Sequence, residues 1–228
     1  MHALDPLWVK IFLAIHIAAG ASSFLLAPVA LVTAKGGKQH KRWGMVYLWS
    51  MGVVAGTALP LAFFFPVRFL ALVAVFSFYF AFSAYRVLRL KELARGGNAE
   101  PVDWIAGIVT FATSALLAWL SWFRPAAIEV LPSVGVVFGF IGMVGSARQM
   151  LSFVHKPKEK MFWWYTHLGN FIGSYIAAWS AFSVVTLTRM IGNHWYVWLW
   201  PTMVGVPAII VTTAYYQRKF APRAKATA

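Results

Sequence analysis

Seven apolar runs alternate along the chain with polar breaks, and the breaks themselves alternate between strongly basic and nearly uncharged. The pattern predicts helices over 7–34, 43–65, 67–90, 102–123, 131–151, 161–188 and 195–216. Each run exceeds the about 20 residues that a helix rising 1.5 Å per residue needs to cross about 30 Å of hydrocarbon. The expected fold is therefore all-α, a polytopic integral membrane protein forming a single transmembrane helical domain over residues 1–228. Pro28, Pro60 and Pro207 fall inside runs, where a membrane bundle tolerates kinks.

The sixth run holds most of the polar groups that enter an apolar setting. Between Lys160 and Arg189 there is no charge for 28 residues. His167, Asn170 and Ser174 recur there at i, i+3 and i+7, on one helical face. Such a stripe has no water to turn to in lipid, so it faces other helices or a wet cavity, and the sixth helix is expected at the bundle's centre. Gly169 and Gly173 form a small-xxx-small pair, as do Gly52 with Gly56 and Gly135 with Gly139, followed by Gly142 and Gly145. Helices two, five and six are accordingly expected to pack closely.

Composition supports the membrane reading: 61% of the 228 residues are hydrophobic and 11% charged, against about 25% charged in soluble domains. The net charge of +14 would suit nucleic acid in a polar chain. In one this apolar, basic loops beside the anionic lipids of a cytoplasmic leaflet account for it, and no nucleic-acid partner is expected. Sixteen Lys and Arg fall on one side: Lys35, Lys38, Lys41, Arg42, Arg86, Arg89, Lys91, Arg95, Arg148, Lys156, Lys158, Lys160, Arg218, Lys219, Arg223 and Lys225. Four fall on the other: Lys10, Arg68, Arg124 and Arg189. The positive-inside rule then puts the N-terminus outside and the C-terminus in the cytoplasm, in a bacterial-type cytoplasmic (inner) membrane. The first eight residues carry Asp5 but no Lys or Arg, so the first run is expected to stay as an anchor rather than be cleaved. Trp and Tyr cluster at run ends (Trp163, Trp164 and Tyr165; Trp195, Tyr196, Trp198 and Trp200), as interfacial belts do. The absence of Cys excludes disulfides, thiolate metal sites and covalently attached haem.

Histidines carry the candidate chemistry. His40 and His155 fall in cytoplasmic loops, with His167 about two turns into helix six from the same side; His16 and His194 belong to the outer half. Two cofactors would use this layout. Haem b takes one imidazole from each of two helices at one depth, with small residues making room, and His40 with His167 or His16 with His194 would supply them. A divalent metal such as zinc would take His40, His167 and either Asp103 or His155, keeping one position open for water. Each residue also has a plainer role: His40 facing headgroups, His155 and His194 solvated, His16, His167, Asn170 and Ser174 bonding between helices, Arg148 snorkelling from helix five. No phosphate loop, dinucleotide fingerprint or hydrolase elbow is present.

His16 with Gly20, followed by His40-Lys-Arg-Trp-Gly44-Met-Val-Tyr47, resembles a bacterial family of predicted multi-pass membrane proteins carrying a domain of unknown function. The resemblance covers about residues 10–120 and implies an early His in the first helix and H-x-x-x-G-x-x-Y opening the second. The family usually begins its fourth helix with a further His near a Trp, where this chain has Asp103-Trp104. It brings no established activity. The function expected from the residues is a His-ligated redox protein of the membrane. An accessory subunit packing against other membrane subunits, or a small-molecule transporter with a path along His167, Asn170 and Ser174, are the alternatives.

Overall fold

A computed structural model describes residues 6–128 and 130–220. Among them the chain is all-α, with seven long helices: α1 Leu7–Val32, α2 Lys38–Phe64, α3 Arg68–Arg86, α4 Pro101–Phe123, α5 Pro132–Val154, α6 Phe162–Ile191 and α7 Trp195–Phe220. All seven are long and apolar enough to cross a membrane. Arg223 and Lys225, both on the basic side, lie outside the described residues.

Hydropathy marks where lipid ends, not where a helix ends, and the boundaries differ for that reason. α2 begins at Lys38, so His40 stands in its first turn rather than in a loop; Lys and Gln are good helix formers, and the polar turn projects past the apolar span. α3 stops at Arg86 rather than at 90, because the chain tightens there into i→i+3 bonds from Leu88, Arg89 and Leu90. A 3-10 turn, Lys91–Arg95, follows.

α3 is the hub, packed on α2, α4 and α6. Buried residues make up 61% of its apolar window, against 33% for α6, so the sixth helix is not the centre that its polar stripe suggests. Small residues around α3 (Ala71, Ala74, Ser77, Ala81, Ser83, Ala84) leave room for several neighbours between its buried Phe69, Phe76 and Phe80. In lipid, close packing rather than water exclusion holds helices together, so small residues decide who approaches whom. The α5 glycines do this against α4: a Cβ at Gly139 would lie 2.7 Å from the Ser114 carbonyl oxygen. The Gly169 and Gly173 pair does not, since a Cβ at either position meets its first neighbour only at 3.8 Å.

Proline supplies another link. Pro28 and Pro201 lack the N–H that would pair with the carbonyls of Phe24 and Val197, four residues earlier. α6 satisfies both: the Tyr175 hydroxyl donates to Phe24 O at 3.3 Å and the Ser183 hydroxyl to Val197 O at 3.1 Å. Tyr175→Phe should therefore cost about 0.5–1.5 kcal/mol. The cost should shrink in a Pro28→Ala background, where the restored N–H takes the carbonyl. Equal losses in both backgrounds, measured by thermal unfolding, would refute this role for the hydroxyl.

Candidate functional site

An α-helix leaves its last four carbonyls without partners of its own. α1 and α3 both end at the basic end of the bundle, at Val32 and Arg86, so the Ala30 and Ala84 oxygens there are left to side-chain donors. His40, from the first turn of α2, places Nδ1 2.9 Å from Ala30 O. His167, from the second turn of α6, places Nδ1 2.8 Å from Ala84 O. A carbonyl only accepts, so each Nδ1 carries the proton and each Nε2 keeps its lone pair. Two helix ends thus fix the tautomer and the orientation of two imidazoles.

The rings are neighbours, with centres 6.1 Å apart and planes at 67°. A cavity of about 590 Å³ lies beside them, walled by α1, α2, α6 and the end of α3. His40, Gly44 and Tyr47, the three positions of the H-x-x-x-G-x-x-Y pattern, all line it. At Gly44 no atom lies within 4 Å of where a Cβ would be, so the missing side chain is cavity. Tyr47 is buried and shares a 2.9 Å hydrogen bond with Ser174. Lys35, Lys41 and Lys91 stand at the cavity's polar side. Lys91 places its ammonium 4.3 Å from the Trp163 ring centre, and Lys35 donates to the terminal carbonyls Leu31 and Ala30 of α1. Burial pulls the Lys35 pKa below its ordinary value, because the charged form loses hydration.

Gly44→Leu should fill this space without disturbing the helix, since Leu favours helix over Gly by up to about 1 kcal/mol. The expected result is an unchanged or raised unfolding temperature with loss of whatever the cavity holds; a lowered temperature would show that the space is not free.

The other candidate residues are dispersed. Asp103 is committed to Arg86, which donates through Nε to Oδ1 at 2.7 Å and through Nη2 to Oδ2 at 2.9 Å. The Glu100 N–H donates to Oδ2 as well, at 3.0 Å, closing a capping box on α4. Asp103 is 4% exposed and Arg86 6%, and with its oxygens so engaged the carboxylate faces a guanidinium rather than the histidines. His155 is exposed at the end of α5, which packs on α4, α3 and α7 rather than on α2. Among the described residues no three His, Cys, Asp or Glu side chains converge at metal-ligand range. His16 meets Thr57 of α2 at 2.9 Å, whereas exposed His194 stacks on Tyr196 with ring centres 5.1 Å apart; the two turn to different partners. In the polar stripe, Asn170 donates to Ser83 Oγ at 2.8 Å and Ser174 meets Tyr47, so all three members bind neighbouring helices. Arg148 and Asn170 line a second cavity, on another face of α6.

The carbonyls of Ala30 and Ala84 and the lysine rim carry no signal in the sequence. Gly44, one turn beyond His40, was the available signal for the open space. No known protein family matches the chain, and neither does any curated protein or solved structure.

Proposed function

We propose that this chain is a haem b protein of a bacterial-type cytoplasmic membrane, N-terminus outside, that carries electrons with His40 and His167 as its iron ligands. The observation that carries the reading is the pair of neighbouring imidazoles, each held through Nδ1 by a helix-end carbonyl, beside a cavity of about 590 Å³. Metal-ligating histidines characteristically donate their second nitrogen to a carbonyl or carboxylate, which fixes the ring and raises its basicity. His40 and His167, contributed by two different helices with ring centres 6.1 Å apart, would hold haem through their Nε2 atoms, and the cavity volume lies in the usual small-molecule range of about 300–1,000 Å³.

The surrounding residues fit the group's other needs. Gly44 leaves open space; Phe171, 5.1 Å from His167, and Tyr47 supply apolar faces. Lys35, Lys41 and Lys91 line the same cavity and would supply positive charge to an acidic group of the ligand. Haem would contribute one-electron chemistry; the chain contributes two oriented neutral imidazoles and a largely apolar enclosure, which sets the potential. A zinc-type centre is less well supported, because it needs a third protein ligand and Asp103 is already saturated by Arg86 and Glu100.

The test is an absorption spectrum of protein purified from haem-replete cells, with iron analysis on the same preparation. A Soret band with about one iron per chain is expected. Protein with no Soret band, before and after added haem, would overturn the reading.

A further inference from the structure

The second cavity, about 440 Å³, lies between α3, α5, α6 and α7 and shares no lining residue with the first. Its walls change character along the bundle. Deep in the span they are aromatic and aliphatic, with Phe76, Phe138 and Ile176 among them. Toward the basic end they carry Arg148, Gln149 and Asn170. Arg148 stands six residues before the end of α5, about 9 Å along the helix at 1.5 Å per residue, and Phe138 about 15 Å deeper.

Two of these groups, buried Gln149 and exposed Arg148, have no side-chain partner among the described residues. Gln149 is 7% exposed, yet its amide bonds to none of the described residues. That amide borders the cavity and is placed to donate to a group there that accepts a hydrogen bond. Arg148 has no ion pair among the described residues, and no Asp or Glu lines the cavity. Guanidinium, amides and hydroxyls gathered without a carboxylate recognise an anionic head, which Arg can grip with two parallel bonds. The apolar shaft beyond them takes a hydrocarbon chain.

From this we infer that the second cavity binds a single acyl chain with an anionic head, carboxylate or phosphate, its head held by Arg148, Gln149 and Asn170. Gly169 and Gly173 then have a purpose that close helix packing does not give them: they keep α6 bare where the chain lies. The site stands independently of the histidine pair.

The test uses the full chain in a neutral detergent, with binding followed by native mass spectrometry and by unfolding temperature. Oleate should bind saturably as one molecule per chain and raise the unfolding temperature, and oleyl alcohol, the same chain without charge, at least tenfold more weakly. Phosphatidylglycerol, compared with phosphatidylcholine, distinguishes a lipid phosphate from a free carboxylate as the natural head. Arg148→Gln should weaken oleate about tenfold or more. Gly173→Leu should abolish binding while leaving the ligand-free unfolding temperature unchanged, since its added Cβ meets only Phe80, at 3.8 Å. Equal binding of oleate and oleyl alcohol, or oleate binding untouched by both substitutions, would overturn the inference, as would a neutral quinone that binds and is not displaced by oleate.

Discussion

If His40 and His167 hold haem as proposed, purified His167→Ala protein should lack the Soret band expected of the wild-type chain, and His40→Ala should do the same. Each substitution removes an Nε2 lone pair and the imidazole partner of a helix-end carbonyl, Ala84 O or Ala30 O. Loss of a hydrogen-bonding partner behind a metal ligand typically costs 10–100-fold in metal affinity, and loss of the ligand itself costs at least that. Any residual pigment should show an altered spectrum, because one imidazole survives in each variant. His16→Ala and His194→Ala serve as controls. Their rings contact Thr57 and Tyr196 and do not line the cavity, so both should keep the wild-type spectrum. Should His16→Ala bleach the protein while His167→Ala leaves it coloured, the assignment of the ligands is wrong.

Asp103→Ala should be the most destabilising substitution, at about 3–5 kcal/mol, because it leaves the Arg86 guanidinium buried beside only Glu100. Glu100 is 62% exposed, and an exposed carboxylate compensates a buried cation poorly. The same change removes the capping-box acceptor of α4, worth about a further 1 kcal/mol. For a chain of this size the unfolding temperature should fall by about 10 °C or more. Arg86→Lys should recover little, since an ammonium cannot make the two parallel bonds to Asp103. The informative double variant is Arg86→Met with Asp103→Leu. Removing both charges together removes the desolvation cost as well, and this protein should regain most of the loss. If the double variant is as unstable as the sum of the singles, the pair is not the coupled unit its geometry indicates.

The apolar runs contained the number of helices and their character. Partition into lipid depends on each segment's own composition, and no tertiary contact is needed to read it. The H-x-x-x-G-x-x-Y pattern was visible as a spacing, but with His40 read as a loop residue only the start of α2 at Lys38 put His40, Gly44 and Tyr47 on one helix lining one cavity. What could not be read is where helices stop. The α2 start at Lys38 comes from a polar turn that hydropathy does not weigh, and the α3 stop at Arg86 from a switch to i→i+3 bonds inside an apolar run. The ends of α1 and α3 present the Ala30 and Ala84 carbonyls that hold His40 and His167.

Asp103 shows the other limit. From the chain alone it is a lone acid near the basic side, available to a metal; folded, it faces Arg86 across the α3–α4 connection and has no oxygen to spare. Glycine likewise reads identically in Gly135-x-x-x-Gly139 and Gly169-x-x-x-Gly173, yet the first admits α4 and the second borders a cavity. By itself the sequence determined a seven-helix apolar chain with a basic end and a few polar side chains within its spans, because those follow from local partitioning between lipid and water. Only the tertiary structure decided which polar groups face each other, because that depends on how closely particular helices approach and on the carbonyls left free at their ends.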